Sequence, residues 1–169
     1  MTKDAFDEIL DQWSAERPEL DTAALGVVIR IMGLYRRFLR DATRALEPLN
    51  LELWEYDVLS ALRRQGRPFM LSATRLARQT DLSSGAMTNR IDRLEQRGFV
   101  RRTQDEEDRR GVNISLTARG VREINRAIQH RLDVAEKSLA ALSDPERTEL
   151  ADLLRKVVLS VRTTPPGAG

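Results

Sequence analysis

One stretch near the middle of the chain, residues 71–117, constrains the fold more than any other part. It holds a short helix-like run, a turn, a longer helix-like run, and two strand-like runs that flank a charged loop. Ser72 and Ser83 are typical helix N-caps, and Gly98 is a typical C-terminal stop. This order predicts a helix-turn-helix followed by a β-hairpin wing. The predicted bounds are 72–80 and 83–98 for the helices, 81–83 for the turn, 99–103 and 112–116 for the strands, and 104–111 for the loop.

Arginine is concentrated in the same part of the chain. Between Arg63 and Arg102 there are ten arginines against three acidic residues, although the whole chain has a net charge of only +2. A local excess of cations is what a surface facing the phosphate backbone of DNA requires. Compositional bias is the other reading, because arginine outnumbers lysine 25 to 3 throughout. The coincidence with the winged helix-turn-helix favours double-stranded DNA as the partner.

The segments on both sides have the apolar periodicity of amphipathic helices. A protomer of 169 residues cannot easily bury several such stripes alone, which predicts a two-fold homodimer. The fold class is therefore mainly α, a winged helix-turn-helix DNA-binding lobe with N- and C-terminal helices forming a dimerisation lobe. The predicted divisions are N-terminal helices at 1–48, the DNA-binding lobe at 49–117, C-terminal dimerisation helices at 118–163, and a disordered tail at 164–169.

Several function classes are disfavoured by what the sequence lacks. There is no Cys, and His130 is the only His, so no metal site is expected. No nucleophile-base pair or glycine-rich phosphate loop is present, so we expect neither an enzyme nor a cofactor. No apolar run approaches the roughly 20 residues of a membrane span, and the N-terminus lacks a signal-peptide core. We expect a soluble, cytoplasmic protein without a membrane partner.

Two runs carry a resemblance to a known family. SSGAMTNRIDRLEQRGFVRR and DEEDRRGVNISLTARG, the second with Asp108, Arg109 and Arg110 at the position of an Asp-Arg wing motif, resemble the MarR family of bacterial winged-helix transcription factors. The resemblance covers residues 22–162. It implies a dimer that regulates transcription by binding a pseudo-palindromic operator, with half-sites about 10 bp apart.

Helical geometry predicts which face of residues 83–98 reads DNA. Each residue advances about 100° around the axis, so Met87, Ile91 and Leu94 define a buried stripe. Asn89 is suited to a bidentate contact with adenine, and Arg93 to guanine or a phosphate. The predicted groove-facing set is Ser83, Ser84, Gly85, Thr88, Asn89 and Arg93.

The predicted backbone contacts have simpler alternatives. Ser83 and Ser84 bond phosphate beside the helix N-terminal amides, or they act as caps alone. Arg109 or Arg110 enters the narrow minor groove with Asp108 holding one of them, or the loop is only a solvated charged segment.

Arg90 does not belong to the outward set. It lies about 60° from the centre of the buried stripe, so its guanidinium should turn partly back towards the protein. A half-buried Arg needs an anionic partner, and Asp57 is the candidate because its helix is otherwise apolar on that side. Arg102 shares strand parity with Val100 and faces inward if Val100 does.

These residues, with the run QWSAERPELD at 12–21, resemble the urate-responsive, PecS-like branch of the MarR family. The resemblance implies that Trp13, Asp57, Arg90 and Arg102 bind a urate-like or phenolic anion. The two arginines would pair with the ligand's charge, Trp13 would stack or hydrogen-bond, and Asp57 would be repelled and move the recognition helix. The protein would then be a repressor that the ligand releases from DNA.

A second interpretation needs no ligand. Trp13 would only dock the first helix, and Asp57 with Arg90 would be a buried ion pair. The protein would then be an architectural or constitutive DNA-binding regulator.

Overall fold

The computed structural model describes residues 2–80, 83–104 and 111–163 of the chain. Its elements confirm the mainly α class and the winged helix-turn-helix. A 3-10 turn, Glu47–Leu49, joins the second helix to the third. The helices are α1 (Ala5–Glu16), α2 (Ala23–Arg44), α3 (Leu53–Arg63), α4 (Ala73–Gln79), α5 (Ser84–Gln96), α6 (Ala118–Ser138) and α7 (Asp144–Thr163). The strands are β1 (Met70–Ser72), β2 (Val100–Gln104) and β3 (Val112–Leu116).

The chain divides after Arg131 into two compact units, so the boundary falls inside α6. The finer division at 48/49 and 117/118 stays a prediction, and the tail at 164–169 lies outside the described residues. None of the described helices combines the length and apolar character that crossing a membrane requires.

The wing sheet contains a strand that the sequence analysis missed. β1 pairs antiparallel with β3, which gives the order β1-β3-β2. Three residues are too few to show period-two alternation, and β1 runs directly into a helix. Ser72 ends the strand and also caps α4, because its Oγ accepts a hydrogen bond of 3.3 Å from the Arg75 amide. β2 begins and ends one residue later than predicted, whereas β3 has the predicted bounds.

Both predicted boundaries of the recognition helix α5 have the expected chemistry. The Ser83 Oγ accepts from the Ala86 amide at 3.3 Å, as an N-cap does. At the other end Gly98 has φ +70°, and the Phe99 amide donates to the Leu94 carbonyl at 2.9 Å. A residue with positive φ after the last helical turn is the usual place for glycine.

The hydrophobic core lies in the first unit and contains the predicted stripe of α5. Met87, Ile91 and Leu94 are at most 2% exposed. They belong to a cluster with residues of α3, α4, α6 and all three strands. Among the largest fully buried side chains of that cluster are Leu46, Val58, Leu59, Leu62, Leu76, Val100, Ile114 and Ile124.

Gly120 allows α6 to start directly against the beginning of the wing. A Cβ at this position would lie 2.0 Å from the Phe99 carbonyl oxygen, a backbone atom that cannot move aside easily. Thr117 reinforces the junction, because its Oγ1 donates to the Gly98 carbonyl at 2.7 Å and accepts from the Gly120 amide at 3.0 Å. The end of α5, the start of β2 and the start of α6 are therefore held at one point.

We predict that Gly120→Ala lowers the free energy of unfolding by about 1–3 kcal/mol, the usual cost of forcing an extra carbon into a packed site. Urea denaturation at fixed protein concentration measures it. Gly85→Ala is the control, since a Cβ there meets nothing within 4 Å and helices favour alanine over glycine. Equal stabilities for the two variants would contradict the close approach.

Candidate nucleic-acid interface and anion pocket

α5 presents an exposed polar face opposite its buried stripe. Gly85, Thr88, Asn89 and Arg93 are exposed, and so is the capping Ser83. The core fixes the roll of the helix, so this face is rigidly presented. Of the remaining predicted DNA contacts, Ser84 begins α5 but its side chain lies outside the description, as do Arg109 and Arg110.

Arg93 is engaged by two residues at the start of α3. Its guanidinium donates to the Glu52 carboxylate at 2.7 Å and lies 4.8 Å from the centre of the Trp54 ring. The Trp54 indole N–H also donates to Glu52, at 2.6 Å. The pKa of Glu52 is lower than its ordinary value, mainly because of this hydrogen bond and to a smaller extent because of the hydrogen bond from Arg93. The sequence analysis did not identify Glu52 or Trp54 as neighbours of this exposed face.

Arg90 is half-buried, as its position around the axis of α5 predicts. The expected pairing of Arg90 with Asp57 is not present. Within the part of the chain that the structure describes, no ion pair joins the two. The Arg90 guanidinium lies over the Trp54 ring instead, at 5.2 Å from its centre. An aromatic face can satisfy a guanidinium through its quadrupole, so a carboxylate is not required.

Asp57 and Arg90 do, however, line the same cavity, which has a volume of about 350 Å³. It is bounded by α3, the end of α4 and α5, and its other lining residues are Tyr56, Ser60, Arg64, Gln79 and Thr80. Burial raises the pKa of Asp57, while the charges of Arg131, Arg90 and Arg64 oppose the shift. Among the described residues, the lining thus contains one carboxylate and two guanidinium groups, those of Arg64 and Arg90, which makes the cavity cationic.

Arg131 is not among the residues that line the cavity, but its charge acts on Asp57, and the sequence analysis missed it as it missed Arg64. Its guanidinium lies 5.6 Å from the centre of the Tyr56 ring, and its Nε is buried with no hydrogen-bond partner among the described atoms. A signal was available, because Arg131 follows Ile124 and Ile128 at i+7 and i+3 on the apolar stripe of α6. The argument applied to Arg90 would have identified it.

Arg102 is half-buried on the same side of β2 as Val100, which confirms the predicted parity. It does not reach the cavity, however. Its guanidinium is paired with two acidic residues of α5, Asp92 and Glu95, the latter at 2.6 Å. The Glu95 carboxylate also accepts from the Arg102 amide at 3.1 Å. Arg102 therefore ties the wing to the recognition helix.

Trp13 lies on α1, is 45% exposed and is not among the residues that line the cavity. α1 docks on α2 through Arg30, whose guanidinium binds Asp4 at 2.9 Å and Asp7 at 2.6 Å. Of the four residues predicted to bind a ligand, a single chain thus brings together only Asp57 and Arg90.

A buried ion pair holds the far end of the recognition helix. Glu55 on α3 is only 1% exposed, and its carboxylate accepts from Arg97 at 2.5 Å. Arg97 also donates to the Asn50 carbonyl at 2.7 Å and lies over the Phe99 ring. The pair was missed because neither residue departs from an ordinary charged pattern on its own helix.

Two long helices outside the core have apolar side chains open to solvent. On α2 they include Val28, Met32 and Tyr35, and on α7 they include Leu153 and Val157. Each of these side chains is about half exposed or more. Faces of this length are unusual on a protein that works as a monomer.

Comparison with known proteins agrees with this geometry. A model of the MarR family matches residues 51–112. The HTH-type transcriptional regulator PecS of Dickeya dadantii is 34% identical over 150 residues, covering 89% of this chain and 90% of that protein. Among solved structures, AbsC, a MarR family transcriptional regulator from Streptomyces coelicolor, has a TM-score of 0.76 at 23% identity, over 86% of this chain and 98% of AbsC.

A mutant MarR from E. coli, solved in complex with operator DNA, is also similar, with a TM-score of 0.68 and 26% identity. The match covers 92% of this chain and 99% of that one. The similarity to PecS extends over nearly the full length of both proteins. The chain therefore belongs to the MarR family of winged-helix, DNA-binding transcriptional regulators and is not an enzyme.

Proposed function

We propose that this regulator is a homodimeric repressor, which binds a pseudo-palindromic operator through α5 and is released by a small aromatic anion. The observation that carries the proposal is the division of α5 into two sides. Asn89 and Arg93 lie on its exposed polar face, whereas Arg90 lines a cationic cavity. An anion bound at Arg90 would act on the element that reads DNA.

The proposed reading helix contacts a base edge with Asn89, contacts guanine or a phosphate with Arg93, and approaches the backbone with Ser83 and Ser84. Gly85 and Thr88 lie on the same face and allow close approach to the groove. Arg109 and Arg110 at the wing would reach the neighbouring minor groove. The related MarR from E. coli was solved with operator DNA, which supports the same use of the fold here.

The exposed apolar faces of α2 and α7 support a homodimer. A two-fold axis would present two copies of α5 to successive turns of the major groove, about 10 bp apart.

The proposed ligand site is the cavity at Asp57 and Arg90, with Arg64 as a second cation of the lining and Arg131 as a charge that acts on Asp57. The resemblance to the urate-responsive branch favours a urate-like or phenolic anion. Arg102 and Trp13 lie outside this cavity in the single chain, which favours the alternative of a regulator without a ligand. Urate titrated into an operator shift assay separates the two proposals, since a regulator that has no ligand would stay bound to the operator.

We expect Asn89→Ala to lower the preference for the operator over a scrambled duplex by about 1–3 kcal/mol, because one bidentate base contact is lost. Fluorescence anisotropy with the intergenic DNA upstream of the protein's own gene measures both affinities. Gln96→Ala is the matched control, as Gln96 is equally exposed about two turns further along α5. If both variants keep the full preference for the operator over the scrambled duplex, Asn89 does not read a base.

We expect Arg90→Ala to bind the same operator duplex but to need at least about tenfold more urate for release, because a charged hydrogen bond to the anion is lost. Arg126→Ala removes an exposed arginine of α6 and should respond as the wild type does. If urate and 4-hydroxybenzoate at millimolar concentration leave wild-type DNA binding intact, the protein is not released by such anions.

We also expect Asp57→Asn to stabilise the protein increasingly as the pH rises from about 4 to 7. Since the folded pKa of Asp57 is raised, folding favours its protonated form. That contribution is complete below the ordinary Asp range and is lost as the pH rises through the raised value. Thermal unfolding across this range tests the difference from the wild type. Asp21→Asn, an exposed substitution that keeps the hydrogen bond from the Ala23 amide, should show no such trend.

A further inference from the structure

The DNA-facing Arg93 already has an anionic partner in the free protein. Its guanidinium donates to the Glu52 carboxylate at 2.7 Å, and both side chains are 57% exposed. An exposed pair of this kind contributes little to folding, because water screens it and both side chains lose rotamer freedom. Replacing the Glu52 carboxylate by another anion at Arg93 therefore requires little free energy.

The need to join α3 to α5 does not explain the pair. α3 and α5 are already joined by the buried Glu55 and Arg97, which form the costly contact to break. Trp54 already orients Arg93, since the guanidinium lies over the indole at 4.8 Å. Stacking uses the face of the guanidinium, whereas the carboxylate uses its N–H edge. The two contacts can thus be separated.

We propose that Glu52 is a placeholder for a DNA phosphate. In the free protein it occupies the N–H edge of Arg93, and on the operator a backbone phosphate displaces it while Trp54 keeps the guanidinium in place. This rests on the proposed DNA-facing role of Arg93. Glu52 then acts as an internal competitor that weakens binding to any duplex. Each binding event must displace the Glu52 carboxylate from Arg93, and the displaced carboxylate then lies near the negatively charged phosphates.

The test compares Glu52→Gln with Glu47→Gln, each in the wild type and in Arg93→Ala. The amide that Glu52→Gln introduces keeps an oxygen that can accept from the Trp54 indole. Glu47 is an exposed acid on the preceding turn, and its replacement changes the net charge equally. Affinities for the upstream intergenic duplex and for a scrambled duplex are measured by anisotropy at about 50 mM and about 200 mM salt.

We expect Glu52→Gln to bind both duplexes up to about fivefold more tightly, which corresponds to the worth of an exposed ion pair. Glu47→Gln should gain less. In the Arg93→Ala background the gain from Glu52→Gln should fall to that of Glu47→Gln, because the competition needs Arg93.

The outcomes separate this inference from the function on which it rests. If Arg93→Ala weakens DNA binding but Glu52→Gln does not strengthen it, Glu52 stays paired with Arg93 in the DNA complex, and the proposal that Glu52 is a placeholder is wrong. If Arg93→Ala leaves both affinities unchanged, Arg93 does not contact DNA and the proposed reading surface is wrong as well. Thermal unfolding checks each variant. Should Glu52→Gln be destabilised, Glu52→Ser removes the carboxylate with a good N-cap residue and must give the same gain.

Discussion

The burial of one stripe of α5 is the constraint on which the functional surface depends. Met87, Ile91 and Leu94 pack into the core of the first unit and leave the helix one orientation about its axis. Asn89 and Arg93 must then point to solvent, and Arg90 must point along the surface of the protein. A close-packed interior resists rotation of the helix, so the direction of the exposed polar face of α5 is fixed by the core.

The contacts between α3 and α5 differ in how easily they can be exchanged. Arg97 and the buried Glu55 fix the C-terminal end of the recognition helix, since opening that pair would leave a charge unpaired in the interior. Arg90 and Arg93 instead share the ring of Trp54 near solvent. One indole thus contacts both the cation that lines the cavity and the cation on the exposed polar face of α5.

Local patterns predicted the elements well because their causes are local. The caps at Ser72 and Ser83, the stop at Gly98 and the buried stripe each follow from a few neighbouring residues. β1 was missed because three residues carry no periodicity and gain their hydrogen bonds from β3, more than 40 positions away. Arg131 was missed for a similar reason, because its relation to Asp57 joins α6 to α3. Arg64 follows Asp57 by seven residues at the end of α3, so its place beside Asp57 could have been predicted from that helix alone.

The sequence by itself determined the family, the order of the helices and of the two strands β2 and β3, and the side of α5 that faces outward, because periodicity, caps and motifs are read within one element. Only the tertiary structure decided the partners of the charged side chains. Arg90 lies on Trp54 rather than pairing with Asp57, and Arg102 is held by acids of α5. A cation can be satisfied by any carboxylate, carbonyl or aromatic face that the fold brings near, and that choice depends on packing between distant elements.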